Sequence, residues 1–123
     1  MLFTDTLNKN KDFLFLYKKG EKVISKAVVF YYRRNNKPFN RIGITTSKKL
    51  GNAVKRNRAR RVIRQAYREN EVFMPVGYDI VMVARFSATT VKSDVISRFI
   101  KNVLVAEINK SEKKKLKWKS FLF

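Results

Sequence analysis

The segment from Lys48 to Arg68 reads KKLGNAVKRNRARRVIRQAYR and combines a helical pattern with a dense accumulation of positive charge. Asn52 is a good N-cap residue, and it predicts a helix that continues to about Arg68. At about 100° per residue, small and aliphatic side chains fall on one face of this helix, and arginines sweep the opposite arc. The apolar face contains Ala59, Val62, Ile63 and Ala66, and the arginine face contains Arg56, Arg60, Arg61, Arg64 and Arg68. One face is expected to pack, and the other to present guanidinium groups.

The charge of this segment is not balanced within it, since nine basic residues and no acidic residue lie between Lys48 and Arg68. A solvated helix face usually mixes charge signs, because like charges four residues apart destabilise a helix. The guanidinium group pairs bidentately with phosphate oxygens and stacks on unpaired bases, which lysine cannot do. Gly51 and the free amides from Ala53 onward add a second position suited to phosphate. The pattern indicates an RNA-binding surface.

The whole chain is strongly basic, with 29 Lys and Arg against nine Asp and Glu in 123 residues, and a formal net charge of +20. Self-repulsion at this charge opposes compaction unless a polyanion binds, and nucleic acid is the strongest common polyanion because it releases condensed counterions. The hydrophobic fraction of 45% supplies enough apolar material for one core. A single domain over residues 1–123 is therefore predicted.

Several functional classes are disfavoured by what the sequence lacks. The absence of cysteine removes disulfides and thiolate metal sites and favours the cytoplasm, and no apolar run approaches the ~18 residues of a membrane span. Histidine is also absent, the nine acidic residues are scattered, and the four glycines do not cluster as a phosphate-binding loop requires. We therefore expect neither a catalytic residue nor a metal site in the protein itself.

With the arginine-rich helix included as its second helix, the sequence predicts the element order α, β, β, α, β, α. Asn10 is a candidate N-cap for a helix through Lys19 that Gly20 stops, and a turn at residues 35–40 predicts a hairpin between its flanking strands. Ser93 is a candidate cap for an amphipathic last helix. The predicted strands are Ala27 to Tyr32, Arg41 to Thr46 and Tyr78 to Arg85, and the apolar stripe of the last helix is Val95, Ile96, Phe99, Ile100, Val103 and Leu104. From about residue 110 to 123 a basic, flexible tail is expected.

The segment from Lys48 to Arg68 resembles the signature of the bacterial ribonuclease P protein subunit, with Arg56, Asn57 and Arg58 as its RNR triplet. The likeness extends to KDFLFLYKKG (Lys11 to Gly20), RIGITTSKK (Arg41 to Lys49) and GYDIVMVAR (Gly77 to Arg85). It implies a single α/β (α+β) domain of order αβββαβα with a central mixed sheet. It further implies a likeness to ribosomal protein S5 domain 2 and a left-handed βαβ crossover, against the general rule of right-handed crossovers.

The same resemblance implies a function and a set of binding residues. The family's protein binds a catalytic RNA, and together they remove the 5′ leader of precursor tRNA with Mg²⁺ held mainly by RNA. The protein alone is expected to be a monomer. Residues implied to face the catalytic RNA are Lys48, Lys49, Asn52, Arg56, Asn57, Arg58, Arg61 and Arg64. Residues implied to line a cleft for the single-stranded leader are Phe13, Tyr17 and Tyr31, in keeping with sequence-tolerant stacking of bases on aromatic rings.

Two alternatives remain open on composition alone. A ribosomal or other structural RNA-binding protein would also carry a basic arginine helix. Only the motif at Lys48 to Arg68 separates it from a ribonuclease P protein subunit. A cationic protein of the membrane surface is suggested by the ending KKKLKWKSFLF, in which lysines alternate with Leu, Trp and Phe. The sequence favours the hypothesis of a ribonuclease P protein subunit, and no membrane partner is expected.

Overall fold

The computed structural model describes the backbone of residues 1–122 and the side chains of residues 1–114. A π-helical segment, Ile100–Leu104, joins the last two α-helices into one continuous helical stretch. The strands are β1 (Thr4–Thr6), β2 (Glu21–Ile24), β3 (Val28–Arg34), β4 (Asn40–Thr45) and β5 (Tyr78–Ala84). The α-helices are α1 (Asn10–Lys19), α2 (Ala53–Asn70), α3 (Ser93–Phe99) and α4 (Val105–Leu122). Short 3-10 turns lie at Lys48–Leu50, Glu71–Phe73 and Phe86–Thr89.

The five strands form one mixed sheet in the order β1-β4-β5-β3-β2. β4 runs parallel to both β1 and β5, whereas β3 runs antiparallel to β5 and β2. The predicted single α/β domain with a mixed sheet is thus confirmed, and α2 is the crossover between the parallel neighbours β4 and β5. The left hand of this crossover and the likeness to ribosomal protein S5 stay predictions.

The predicted hairpin between β3 and β4 is wrong, because β5 lies between these two strands. Met82 of β5 is in register with Phe30 of β3 on one side and with Ile44 of β4 on the other. The consecutive residues Ile80, Val81 and Met82 are all fully buried, so β5 is covered on both faces. A strand that is apolar on both faces gains most from a central position, which local turn signals cannot reveal.

The two faces of the sheet carry different layers. Phe30, Ile80 and Met82 pack with residues of α2, α3 and α4 in the larger core. On the opposite face Val81 packs with Leu7 and with Leu16 of α1 in a smaller cluster. Among the described helices, α1 is the one that packs on this side of the sheet.

The predicted helix boundaries had mixed outcomes. The Asn52 cap is confirmed, since its Oδ1 accepts a hydrogen bond from the Lys55 N–H at 3.0 Å, but Asn10 and Ser93 are wrong as caps because each is already the first helical residue. The short strands β1 and β2 are absent from the order predicted by pattern alone. The backbone of the predicted tail is helical to Leu122, and its side chains from residue 115 lie outside the described residues, so its flexibility stays a prediction.

Candidate nucleic-acid interface

The helix α2 has the two faces that its sequence predicts. Ala59, Ile63 and Ala66 are fully buried in the larger core. On the arginine face, Arg61, Arg64 and Arg68 are exposed, whereas Arg56 and Arg60 are half-buried. None of these five arginines forms an ion pair with a carboxylate among the side chains of residues 1–114. The positive charge of the helix is therefore available to an external anion.

Arg58, of the RNR triplet, has a different environment from the exposed arginines. Its Nη1 donates to the carbonyl of Ala88 at 3.3 Å, and its Nη2 donates to those of Thr90 and Val91 at 3.4 and 2.9 Å. These carbonyls belong to the segment that follows β5 and leads into α3. In this structure Arg58 is a tether between α2 and that segment, so an RNA contact by Arg58 stays a prediction.

The two half-buried arginines are held in different ways. Arg60 donates to Thr46 Oγ1 at 2.7 Å and to Asn57 Oδ1 at 3.4 Å, so its guanidinium is fixed toward the end of β4. The Nε of Arg56 is buried and has no hydrogen-bond partner within the described part of the chain. A buried N–H group without a partner is unfavourable, so hydrogen bonding at Nε within the described residues does not stabilise this position of Arg56.

The start of α2 collects the other residues implied to contact the catalytic RNA. Lys48 and Lys49 are exposed in the 3-10 turn. Gly51 follows with φ of 122°, a backbone conformation that residues other than glycine rarely adopt. Asn52 uses its side-chain oxygen as the N-cap, which leaves its amide NH₂ group for other contacts. Asn57 is exposed one turn later. The structure thus brings Lys48, Lys49, Asn52 and Asn57 to the N-terminal end of α2.

Phe13, Tyr17 and Tyr31, here called the aromatic cleft, lie on α1 and on the neighbouring strand β3, and their role in leader binding stays a prediction. The rings of Tyr17 and Tyr31 lie 5.0 Å apart between centroids in an edge-to-face arrangement. Tyr17 is 39% exposed, and Phe13 and Tyr31 are half-buried. The Lys22 ammonium lies 5.7 Å from the centroid of the Tyr31 ring and places a positive charge next to the aromatic cleft. Exposed aromatic surface with an adjacent cation is suited to an unpaired nucleotide.

A groove of about 330 Å³ connects Phe13, one residue of the aromatic cleft, with the arginine face. Phe13 of α1 and Gly43 of β4 line one part of it, and Arg60, Arg64 and Arg68 line another. Arg60 and Arg68 were not among the residues implied to contact RNA, although helical winding places both on the arginine arc. The position of Arg60 and Arg68 relative to Phe13 depends on how α2 packs against β4, and helical periodicity does not predict that packing.

The carboxylates of Asp79 and Glu112 bind residues of the sheet. Asp79 accepts from Arg41 Nε and Nη2 at 2.9 and 2.6 Å, and Glu112 accepts from the Tyr78 hydroxyl at 2.6 Å and pairs with Arg34. Burial and the hydrogen bond to Glu112 raise the pKa of Tyr78 to about 12, against the lowering effect of Arg34. Within the described residues, no three His, Cys, Asp or Glu side chains gather as metal ligands. Nor is any described helix long and apolar enough to cross a membrane.

The fold and the site define a small, basic single-domain α/β protein whose arginine face has no carboxylate partner among the side chains of residues 1–114. The ribonuclease P family model matches residues 2–107. The ribonuclease P protein component of Clostridioides difficile is 43% identical over 103 residues, which cover 82% of this chain and 90% of that protein. That of Pelotomaculum thermopropionicum is 40% identical over 112 residues, covering 90% of this chain and 100% of that protein. This chain belongs to the ribonuclease P protein component family, the protein part of a tRNA-processing enzyme.

Solved structures of family members share the fold. The ribonuclease P protein of Staphylococcus aureus is 35% identical and aligns with a TM-score of 0.72, covering 84% of this chain and 95% of that one. The protein from Thermotoga maritima is 28% identical and aligns with a TM-score of 0.73, covering 83% of this chain and 96% of that one. The family resemblance predicted from sequence is thus confirmed.

Proposed function

We propose that this chain binds the catalytic RNA of ribonuclease P through α2 and holds the 5′ leader of precursor tRNA in the aromatic cleft. The complex then removes the leader by Mg²⁺-dependent endonucleolytic cleavage in the cytoplasm. The observation that carries the proposal is the arginine face of α2, whose five arginines have no carboxylate partner in residues 1–114. An arginine surface of this kind suits a folded RNA, because each guanidinium can pair with two phosphate oxygens.

The leader assignment rests on the position and character of the aromatic cleft. Tyr17 and Tyr31 offer ring faces and edges beside Lys22, and stacking on them is tolerant of base identity. The groove from Phe13 to Arg60 and Arg64 provides a basic path between the cleft and α2. A leader seated in the cleft would thus approach the catalytic RNA bound along α2.

The chemistry in this proposal belongs to the RNA. The described residues offer no cluster of oxygen ligands for Mg²⁺, so the ions are assigned to RNA phosphates. The protein's part is physical, because its cations screen phosphate repulsion and thereby favour metal binding by RNA at low Mg²⁺ concentration. Before RNA binds, the protein is proposed to be a monomer.

Reconstitution tests the proposal. The purified chain, mixed with a ribonuclease P RNA and a precursor tRNA, is expected to restore cleavage at low Mg²⁺ concentration. The double variant Arg61→Gln/Arg64→Gln is expected to weaken RNA binding by the order of tenfold or more per arginine, because hydrogen bonds to charged groups contribute about 1.5–3 kcal/mol. Lys92→Gln/Arg98→Gln changes the charge equally at exposed positions outside the site and serves as the control.

Three results would count against the proposal. Wild-type protein that fails to stimulate the RNA would exclude the function. Equal behaviour of the two double variants would exclude α2 as the specific interface. Binding to ribosomal RNA with higher affinity than to ribonuclease P RNA would favour a structural RNA-binding role instead.

A further inference from the structure

The C-terminal helix α4 continues beyond the part of the chain that matches the family. The family model ends at residue 107, whereas α4 runs from Val105 to Leu122. From residue 108 to the end, the sequence contains six lysines and a single acidic residue, Glu112. At 1.5 Å per residue the part of α4 after residue 107 extends about 22 Å. This chain therefore carries a long basic helix in addition to the matched domain.

Side chains on one face fix α4 to the sheet. Ile108 is fully buried in the larger core. One turn later, Glu112 pairs with Arg34 of β3 and accepts a hydrogen bond from the Tyr78 hydroxyl of β5 at 2.6 Å. The hydroxyl groups of Ser111 and Tyr32 lie 3.5 Å apart. Glu112, the one acidic residue from position 108 to the end, is thus bound to the sheet through Arg34 and Tyr78.

The opposite side of α4 presents Lys110, Lys113 and Lys114, the lysine face, all of them exposed. Lys110 lies 3.4 Å from Glu107 in an exposed i,i+3 pair, which contributes little. Lys113 and Lys114 have no carboxylate within ion-pair distance among the described side chains. Like charges at i,i+3 and i,i+4 spacing destabilise a helix, so an anionic partner would compensate this arrangement.

The lysine face lies at the other edge of the sheet from the arginine face. A groove of about 500 Å³ runs between the three lysines and the sheet edge at Glu21 of β2. The groove beside the arginine face lies instead at β4, next to the opposite edge strand β1. The two grooves share no lining residue, and β5 lies between the strands β4 and β3 that border them, so an RNA strand that fills one groove does not by that contact reach the other.

We propose that the lysine face of α4 binds the sugar-phosphate backbone of a second segment of the catalytic RNA, separate from the segment on α2. The inference rests on the proposed function and adds a contact outside the matched domain. Lysine ammonium groups contact phosphates as point charges and do not read bases, so this contact is independent of RNA sequence. The carboxylates of Glu21 and Glu107 at the same groove repel phosphate, so the RNA backbone is expected to contact the side of the groove that the lysines line.

The test compares two variants of the full chain that lose the same charge. Lys110→Gln/Lys113→Gln/Lys114→Gln removes the lysine face, and Lys9→Gln/Lys26→Gln/Lys92→Gln removes three exposed lysines scattered elsewhere. Affinity for ribonuclease P RNA is measured across a range of salt concentrations. The α4 variant is expected to lower the log-log salt slope by about 0.7–0.9 for each lost phosphate contact. The scattered variant is expected to leave the slope close to wild type, and thermal unfolding should be the same for all three proteins.

The outcomes separate this inference from the proposed function. Wild-type protein that does not bind ribonuclease P RNA would overturn both. Wild-type binding and cleavage, with the same slope for both triple variants, would overturn only the α4 contact. Vesicles of phosphatidylserine provide the other arm. If the α4 variant lost vesicle binding while its RNA slope stayed at the wild-type value, the lysine face would be a membrane-surface element and the RNA assignment would be wrong.

Discussion

The ring of Phe13 in α1 lies directly against Gly43 in β4. A Cβ atom at position 43 would stand 2.4 Å from Cζ and 2.6 Å from Cε1 of that ring, closer than carbon atoms approach without displacement. Glycine at this position therefore lets α1 rest on the sheet and holds Phe13 at the junction of the aromatic cleft and the arginine-lined groove.

Gly43→Ala is expected to displace Phe13 and alter the aromatic cleft without touching α2. Overpacking of this kind costs about 1–3 kcal/mol of the free energy of unfolding, and the leader contact should weaken as the ring moves. The measurement is the affinity of the reconstituted enzyme for precursor tRNA with and without its leader. Affinity for the RNA subunit is the internal control and should stay near wild type. Unchanged discrimination between the two substrates would show that Phe13 takes no part in leader binding.

Arg58 and Arg61 are expected to separate stability from RNA binding. Arg58→Lys retains the charge but cannot reach three carbonyls at once, so it should lower the free energy of unfolding by about 1–2 kcal/mol. Arg61→Gln removes an exposed guanidinium group. It should leave the free energy of unfolding unchanged while weakening RNA binding. Chemical denaturation and RNA titration of both variants measure the two effects. A stable Arg58→Lys protein with weakened RNA binding would reverse the assignment of Arg58 as a tether.

Glu71 is expected to make the attachment of β1 sensitive to acid. Its carboxylate accepts from the N–H of Leu2 at 2.7 Å and of Phe3 at 3.3 Å, and from the Thr4 hydroxyl. Burial raises the pKa of Glu71, but these hydrogen bonds outweigh it and hold the pKa below the ordinary value. A lowered pKa in the folded state stabilises the protein above the unfolded value of about 4.3, and this stabilisation disappears as the pH falls through the folded value.

Glu71→Gln should therefore lower the free energy of unfolding at neutral pH by about 1–3 kcal/mol. The difference from wild type should shrink as the pH falls below about 4. Urea denaturation at several pH values gives the measurement. Glu69→Gln, at an exposed carboxylate that bonds only the neighbouring Gln65 side chain among the described residues, is the matched control. A pH-independent difference would contradict the role of the ionised carboxylate.

The hydroxyl group of Tyr78 is expected to lose its proton at a higher pH than an ordinary tyrosine. Its pKa of about 12 follows first from burial and next from its hydrogen bond to Glu112. Because the folded-state pKa is raised above the ordinary value of about 10, the stabilisation is complete below that pH and is lost as the pH rises toward 12. Burial also raises the pKa of Tyr67, so ultraviolet titration of Tyr78→Phe should show one late phenolate transition fewer than wild type. Tyr78→Phe should also cost about 1 kcal/mol at neutral pH, and an equal number of late transitions in both proteins would refute the assignment.

Long, periodic segments of this chain could be predicted from sequence, and pairings between distant segments could not. The N-cap at Asn52, the buried face of α2 and the exposure of Arg61 and Arg64 follow from local composition and helical winding. The hairpin between β3 and β4 was wrong because strand neighbours depend on burial over the whole sheet. The three-residue strand β1 has too short a pattern to predict, and it is held in part by Glu71, which is 67 residues distant from Thr4.

The sequence by itself determined the charge, the arginine face and the family, since all three depend on the order of residues along one helix and its flanking motifs. Tertiary structure decided what those residues touch. It bound Arg58 to backbone carbonyls near α3, placed Arg60 and Phe13 in the lining of one groove, and paired Glu112 with Arg34 of the sheet, while Lys113 and Lys114 have no ion pair among the described side chains. The physical reason is that side-chain partners are chosen by packing between elements far apart in the chain, whereas periodicity reports only which residues share a face.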